Sequence, residues 1–399
     1  MALNTGLFNT TLNPAQLNTS SFAGQILRRF PNGQAPMFAM SSQSGKARAK
    51  ASTHGYFSKT MAFINTTSAS ALVGATTLSL ASAAGVLKGT VLFNPRTREN
   101  VRVTADPAQG SNDVTVARGF GRVAAAAVNA GDRWIAIGTA FEEGSNRPTA
   151  RRMSTVYVSN YTQIFRDAWA LTDTARASLA EAGYSNIQED KKDCSMFHAV
   201  SIESAIIWGQ SKMDTSGATP IHSTQGVLDA MEQYCPENTN TAAATTSYDQ
   251  LVAFLEPAFA YSTDMTDSTS RTAFCDNTAM RVLNQIAKAS GQLQMQVSTT
   301  TFGMRFTQMN FYQGTVNLIT HPLLNGLDQK GMMLIMDMPA LKLAYLEGRD
   351  TKSEEYGTGG KLVENGVDAV GGSLTTECAV ELINPYACAV VHGLTSGVA

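Results

Sequence analysis

Cys194 and His198 stand four residues apart in a stretch with helical periodicity, a spacing that places both side chains on one face of a helix. A thiol and an imidazole so placed suggest two chemistries: half of a metal site, or a thiolate with its base. A metal site needs a third and fourth ligand, and the neighbouring sequence offers no second pair. Thiolate chemistry needs both reactive atoms aimed at a substrate in a cleft, which an i,i+4 pair on a helix seldom achieves. A buried thiol beside a surface histidine is the simpler expectation. His54, His222, His321 and His392 are scattered. His321-Pro322 follows an apolar strand and marks its end and a turn, with a role as a base conceivable. Ser145, Ser262 and Ser373 lack the G-x-S-x-G context of a nucleophile elbow. Glu142-Glu143 are adjacent and diverge on a strand or a helix. Glu354-Glu355 sit near a Gly-rich stretch and read as a solvated loop. Asp337 precedes Pro339 and is placed to cap a helix around Leu341 to Leu346. Gly119-Phe120-Gly121 lacks the spacing and the βαβ setting of a phosphate loop, and no acidic run fits a calcium loop. The sequence thus assigns no catalytic, cofactor-binding or metal-ligating residue, and it points away from an enzyme.

What must hold these residues is a chain of 399 residues, long enough for two or three domains with real cores. Only 16% of it is charged, against an ordinary quarter, with Gly, Ala, Ser, Thr and Asn filling the gap. Low charge suits a surface largely covered by neighbours, because burying unpaired charge is expensive. A secreted or cell-wall protein is the other reading. The net charge of -2 excludes strong nucleic-acid binding through a basic footprint. The one basic cluster, Lys46-Ala47-Arg48-Ala49-Lys50 with Lys59 beyond it and Arg28-Arg29 upstream, suits phosphate, an acidic partner, or plain solvation. None of the five cysteines forms a C-x-x-C pair, so reduced buried thiols are expected. The first twenty residues lack a signal-peptide pattern, and no run of apolar residues is long enough to span a membrane. Synthesis in a reducing cytoplasm fits best.

Residues 1–58 are weakly patterned, with spaced hydrophobes that include Phe22 and Phe30. They read as an arm that packs across another subunit, or as a solvated tail. Residues 59–140 switch to period-two segments separated by turns and predict a compact antiparallel β module. Beyond it, Gln163–Trp169 and Thr174–Ala182 look helical, and Cys194–Gly209 predicts a long helix. Ser247 with Gln250 forms a capping box, and Asp276 caps a helix over Ala279–Ala289. Strands are expected over Gln294–Ser298, Gly303–Thr307, Val316–Thr320, Met333–Met336, Cys378–Ile383 and Ala387–Val391. Helices come first and strands later, which is an α+β layout. The residues best suited to packed contacts between subunits are Phe22, Phe30, Trp134, Phe141, Arg147, Arg151, Arg152, Trp169 and Trp208, since aromatics and arginine are favoured there. Glu142-Glu143 and Arg151-Arg152 complement each other in charge across subunits, or are ordinary solvated pairs.

The order of motifs resembles the major capsid proteins of tailed bacteriophages with the HK97-type fold, in a branch with an additional β module near the N-terminus. The resemblance rests on Gly131–Gly138, Phe141–Pro148, Asn160–Phe165, Ile202-Glu203-Ser204-Ala205 in the predicted long helix, Gly303, His321–Asn325, Asp337, Leu341-Lys342, Leu346–Arg349 and Glu377. It implies an arm at 1–58, a β-rich module in the extended-loop region at 59–140, a peripheral domain with its long helix at 141–225, and an axial domain with returning peripheral strands at 226–399. It further implies self-assembly into pentamers and hexamers of an icosahedral shell enclosing double-stranded DNA. Portal, scaffolding or cement proteins would be partners, with weak non-specific contact to the packaged DNA. The protein would be made in the host bacterial cytoplasm and end in the virion. A phage tail or capsid-decorating protein is the alternative, and a hydrolytic enzyme a more remote one.

Overall fold

The computed structural model describes residues 35–41, 45–59, 63–177, 186–261, 270–290, 295–301, 304–357 and 369–397. Phe22 and Phe30 lie outside them. The chain forms two compact units, one of Phe57–Tyr157 and one of the residues on either side of that segment. The segment 141–157, placed with the peripheral domain by resemblance, belongs to the smaller unit.

The helices of the larger unit are α1 (Pro36–Ser41), α2 (Asp173–Ala177), α3 (Asn186–Trp208), α4 (Val227–Tyr234), α5 (Tyr248–Ala260), α6 (Asn277–Ser290) and α7 (Pro322–Gly326). Several begin where local chemistry dictates. Ser247 and Gln250 complete the capping box at α5. Asp276 accepts from the backbone of Thr278 at 2.9 Å and of Ala279 at 2.7 Å, which starts α6. α3 runs 23 residues and stops before Gly209, where a Cβ would sit 2.5 Å from two carbonyl oxygens.

A seven-stranded sheet has the order 239–241, 389–392, 333–336, 270–275, 315–320, 304–310 and 295–301. Its central strands are buried on both faces, and alternation decides which core each residue enters. Met333 and Ile335 join Ala273, Cys275, Val316 and Leu318 in a core with α5 and α6. Leu334 and Met336 join Phe274 and Ile319 in a second core with Ile202 and Ile206 of α3 and Met231 of α4. That second core is closed by a five-stranded sheet of order 46–49, 341–346, 369–382 and 163–172, with 352–356 also on 369–382. Leu341, Leu343, Tyr345, Val380 and Phe165 enter the core from this sheet.

Two helix expectations fail here. Gln163–Thr172 is a ten-residue strand pairing residue for residue with Cys378–Ala369. Its period is two, with Phe165 and Trp169 inward and Ile164 and Arg166 outward, so the apolar run was assigned the wrong period. Leu341–Leu346 is also a strand, and Asp337 instead precedes a single 3-10 turn at Met338–Ala340. The arm expectation needs a narrower form as well. Residues 46–49 pair in parallel with 343–346 of the same chain, and Met37 of α1 is wholly buried in the chain's own core. Residues 1–34 and 42–44 lie outside the described residues.

The smaller unit is a six-stranded antiparallel sheet of order 65–68, 132–139, 90–93, 100–103, 113–117 and 77–79. It bends until its end strands meet, with Ala69 N donating to Ser79 O at 2.9 Å and Ala81 N to Thr67 O at 2.7 Å. Closure removes exposed edges. Leu78, Leu92, Val101, Val103, Val114, Val116 and Trp134 fill the interior from alternate positions.

Candidate functional site

The constellations that suggested chemistry are structural ties. Cys194 is buried, and burial pushes its thiol up, away from thiolate character. His198 is buried too, not on the surface as expected, because α3 lies against the strand Gln163–Thr172. Its Nδ1 lies 2.8 Å from Asp167 Oδ2 and its Nε2 2.7 Å from Thr376 Oγ1. The chain Asp167–His198–Thr376 has the connectivity of a catalytic triad, but Thr376 is wholly buried mid-strand and its hydroxyl lies 2.9 Å from Thr351 Oγ1. No substrate carbonyl reaches that hydroxyl without unfolding the sheet. No sequence signal points to this chain, since its three residues come from segments distant in sequence. His321 caps α7, its Nδ1 accepting from Leu323 N at 3.2 Å, while its Nε2 lies 2.7 Å from Glu203 Oε1.

A cleft lined by His54, Tyr56, Asn160, Gln225, Tyr234 and Glu381 is likewise internally engaged. His54 Nε2 lies 2.5 Å from Glu381 Oε2, and the Tyr56 hydroxyl donates to Leu382 O at 2.7 Å. Among the described residues no group of three or more His, Cys, Asp or Glu is placed to hold a metal, and no helix is long and apolar enough to cross a membrane.

The surface is the remaining candidate. Phe141, Glu142, Glu143, Arg147, Arg151 and Arg152 lie on one exposed segment of the smaller unit. Phe141 is 41% exposed, its ring lying over Gly89, where a Cβ would come within 2.6 Å. Asp106 fastens this segment to the sheet, accepting from Lys88 N at 2.6 Å and from the Thr149 hydroxyl at 2.8 Å. Arg151 donates to the Thr90 hydroxyl at 2.5 Å, and the cation facing Glu142 is Arg102 of the same chain, at 3.3 Å. Trp134 does not belong with them. It is wholly buried and its indole N–H donates to Ser68 Oγ at 2.9 Å, so its aromatic bulk serves the module's core rather than a contact surface.

Sequence reasoning passed over other exposed apolar side chains. Leu72 is 82% exposed and Val73 50%, on a turn held by Arg118 Nη1 donating to Leu72 O at 3.1 Å. Phe57 and Tyr157, both exposed, pair with ring centroids 5.1 Å apart. Their only sequence signal is apolar residues beside turns, which is common in ordinary loops.

Residues 5–395 match the family model described as SU10 major capsid protein. A curated major capsid protein of Pseudomonas phage PaMx41 is 48% identical over an alignment 407 positions long, covering 99% of this chain and 97% of that one. A solved structure from Microbacterium phage Oxtober96 aligns over 96% of this chain and 97% of its own, with 11% identity and a TM-score of 0.48. The holo-SrpI encapsulin complex from Synechococcus elongatus PCC 7942 aligns over 60% of this chain and 77% of its own, with 12% identity and a TM-score of 0.43. The near-complete span of the family match and the identity to the Pseudomonas phage protein lead to one statement: the chain belongs to the SU10 major capsid protein family.

Proposed function

We propose that this chain is the major capsid protein of a tailed bacteriophage and that copies of it tile the head shell. The observation that carries this reading is the 48% identity to a phage major capsid protein along 99% of the chain. The architecture is compatible with it: a larger unit in which a long helix packs between a five-stranded and a seven-stranded sheet, and a closed β module inserted near the N-terminus. We read this as an HK97-type arrangement with pentamers and hexamers in an icosahedral shell. Contacts of moderate strength, repeated by symmetry, make a shell stable while allowing misplaced subunits to leave during assembly. The exposed segment bearing Phe141, Glu142, Glu143, Arg147, Arg151 and Arg152, and residues 1–34 with Phe22 and Phe30, are the proposed contact regions. A net charge of -2 suits a wall that confines DNA without gripping it. Portal, scaffolding or cement proteins are proposed partners, with synthesis in the host bacterial cytoplasm. No catalytic role is proposed. Negative-stain microscopy of the expressed full chain tests the reading: shells, capsomers or tubes support it, and monomers at every concentration count against it.

A further inference from the structure

Glu203 lies on α3 with its carboxylate wholly buried, and its two oxygens serve three donors from two remote segments. Oε1 accepts from Met37 N at 2.8 Å and lies 2.7 Å from His321 Nε2. Oε2 accepts from Phe38 N at 2.6 Å. Met37 and Phe38 belong to the first turn of α1, where backbone N–H groups have no acceptor within the helix. Because His321 Nδ1 accepts from Leu323 N, the ring proton sits on Nε2 and points at Glu203. A charged carboxylate therefore satisfies α1 from outside, as an N-cap supplied by a residue 166 positions away.

α1 has six residues, too few for a helix to persist by its own hydrogen bonds. It is held by the Met37 side chain, wholly buried in the core with Ile202 and Ile206, by Phe38 and Met40 packed against that core, and by the Glu203 carboxylate. We infer that α1 is a strap that docks and releases as one piece, with Glu203 as its catch. Docked, it is fixed against α3, and Glu203 is a positioning residue for residues 36–41. Released, it leaves α3 and both sheets folded.

The catch requires a carboxylate. A glutamine carries an acceptor at one position and an amide donor at the other. In one orientation the amide opposes Phe38 N–H. In the other it opposes Met37 N–H and the Nε2–H of His321. Aspartate keeps both acceptors on a shorter stem.

Amide hydrogen exchange on the unassembled full chain, read by mass spectrometry, tests this separately from the shell reading. In the unaltered protein the amides of α1 are expected to exchange at least ten-fold faster than those in the middle of α3, reporting an opening smaller than global unfolding. Glu203→Gln is expected to speed exchange at Met37 and Phe38 roughly ten- to hundred-fold, the loss expected when buried donors are left unmet, with α3 changing less than two-fold. Glu203→Asp falls between. Equal exchange in α1 and α3 of the unaltered protein overturns the strap, a result that needs no variant to fold. Unchanged exchange at Met37 and Phe38 in Glu203→Gln overturns the role of the catch.

Discussion

Arg118 meets Glu99 inside the smaller unit through two parallel contacts, Nε to Oε1 and Nη2 to Oε2, each 2.7 Å. The carboxylate is wholly buried and also accepts from Gly119 N at 3.0 Å and Ala126 N at 3.2 Å. Burial alone would raise the Glu99 carboxyl, but Arg118 and the two backbone donors outweigh it and hold it below the usual range. Arg118→Met strands that charge and is expected to destabilise the unit by about 3–5 kcal/mol. The double variant Arg118→Met with Glu99→Leu is expected to lose less, because no unpaired charge remains. Denaturant unfolding followed by tryptophan fluorescence in a Trp169→Phe, Trp208→Phe background checks both, since Trp134 is the only tryptophan in residues 57–157.

Trp134 itself gives a second expectation. Trp134→Ala is expected to cost about 3–5 kcal/mol through the cavity it leaves. Ser68→Ala leaves the indole N–H without its acceptor and is expected to cost about 1–3 kcal/mol. Thermal melts of unassembled protein read both. A Trp134 variant that melts normally yet fails to assemble would return this residue to the subunit interface.

Asp132 contributes to the acid dependence of the same unit. Arg96 donates to it through Nε at 2.7 Å and Nη2 at 2.6 Å, holding its carboxyl down to about 2. A depressed carboxyl stabilises the folded state above its unfolded value, about 3.9, and that stabilisation fades as pH falls through about 2. Arg96→Ala is therefore expected to be less stable than the unaltered protein at pH 5 and above, with the gap closing between pH 4 and pH 2. A gap that stays constant across that window contradicts the assignment.

The thiols are expected to be silent. All five cysteines are free and buried, and burial pushes Cys235, Cys378 and Cys388 up to about 12, with Cys275 also raised. A disulfide reagent at pH 8 is expected to titrate none of them in native protein and all five after denaturation. Rapid labelling of native protein would show that a core opens readily.

Much of the fold was legible because local rules and tertiary demands agree there. The capping box at Ser247, the cap at Asp276 and the period-two strands of the module are written in adjacent residues. Gln163–Trp169 reads as helical in sequence because Phe165, Ala168 and Trp169 also satisfy a helical spacing, and only the partner strand Ala369–Leu382 decides between the periods. Trp134 reads as an interface residue in sequence because a large aromatic suits an interface or a core equally well there. The Glu203 node was invisible, since Met37, Glu203 and His321 converge only in three dimensions.

Truncation separates the arm from the body. Removing residues 1–34 is expected to leave a folded subunit that fails to form regular shells. Removing residues 1–58 also takes away buried Met37 and the strand at 46–49, and is expected to lower the melting temperature as well. Regular shells from the shorter truncation would show that residues 1–34 are dispensable for assembly.

The central claim is that this chain forms the wall of a phage head. Cryo-electron microscopy of purified virions, with the protein content quantified by mass spectrometry, tests it most directly. The account predicts that this chain is the most abundant virion protein and that its two units fit density repeated across the head wall. A head wall built from another protein, with this chain absent or confined to the tail, would contradict it.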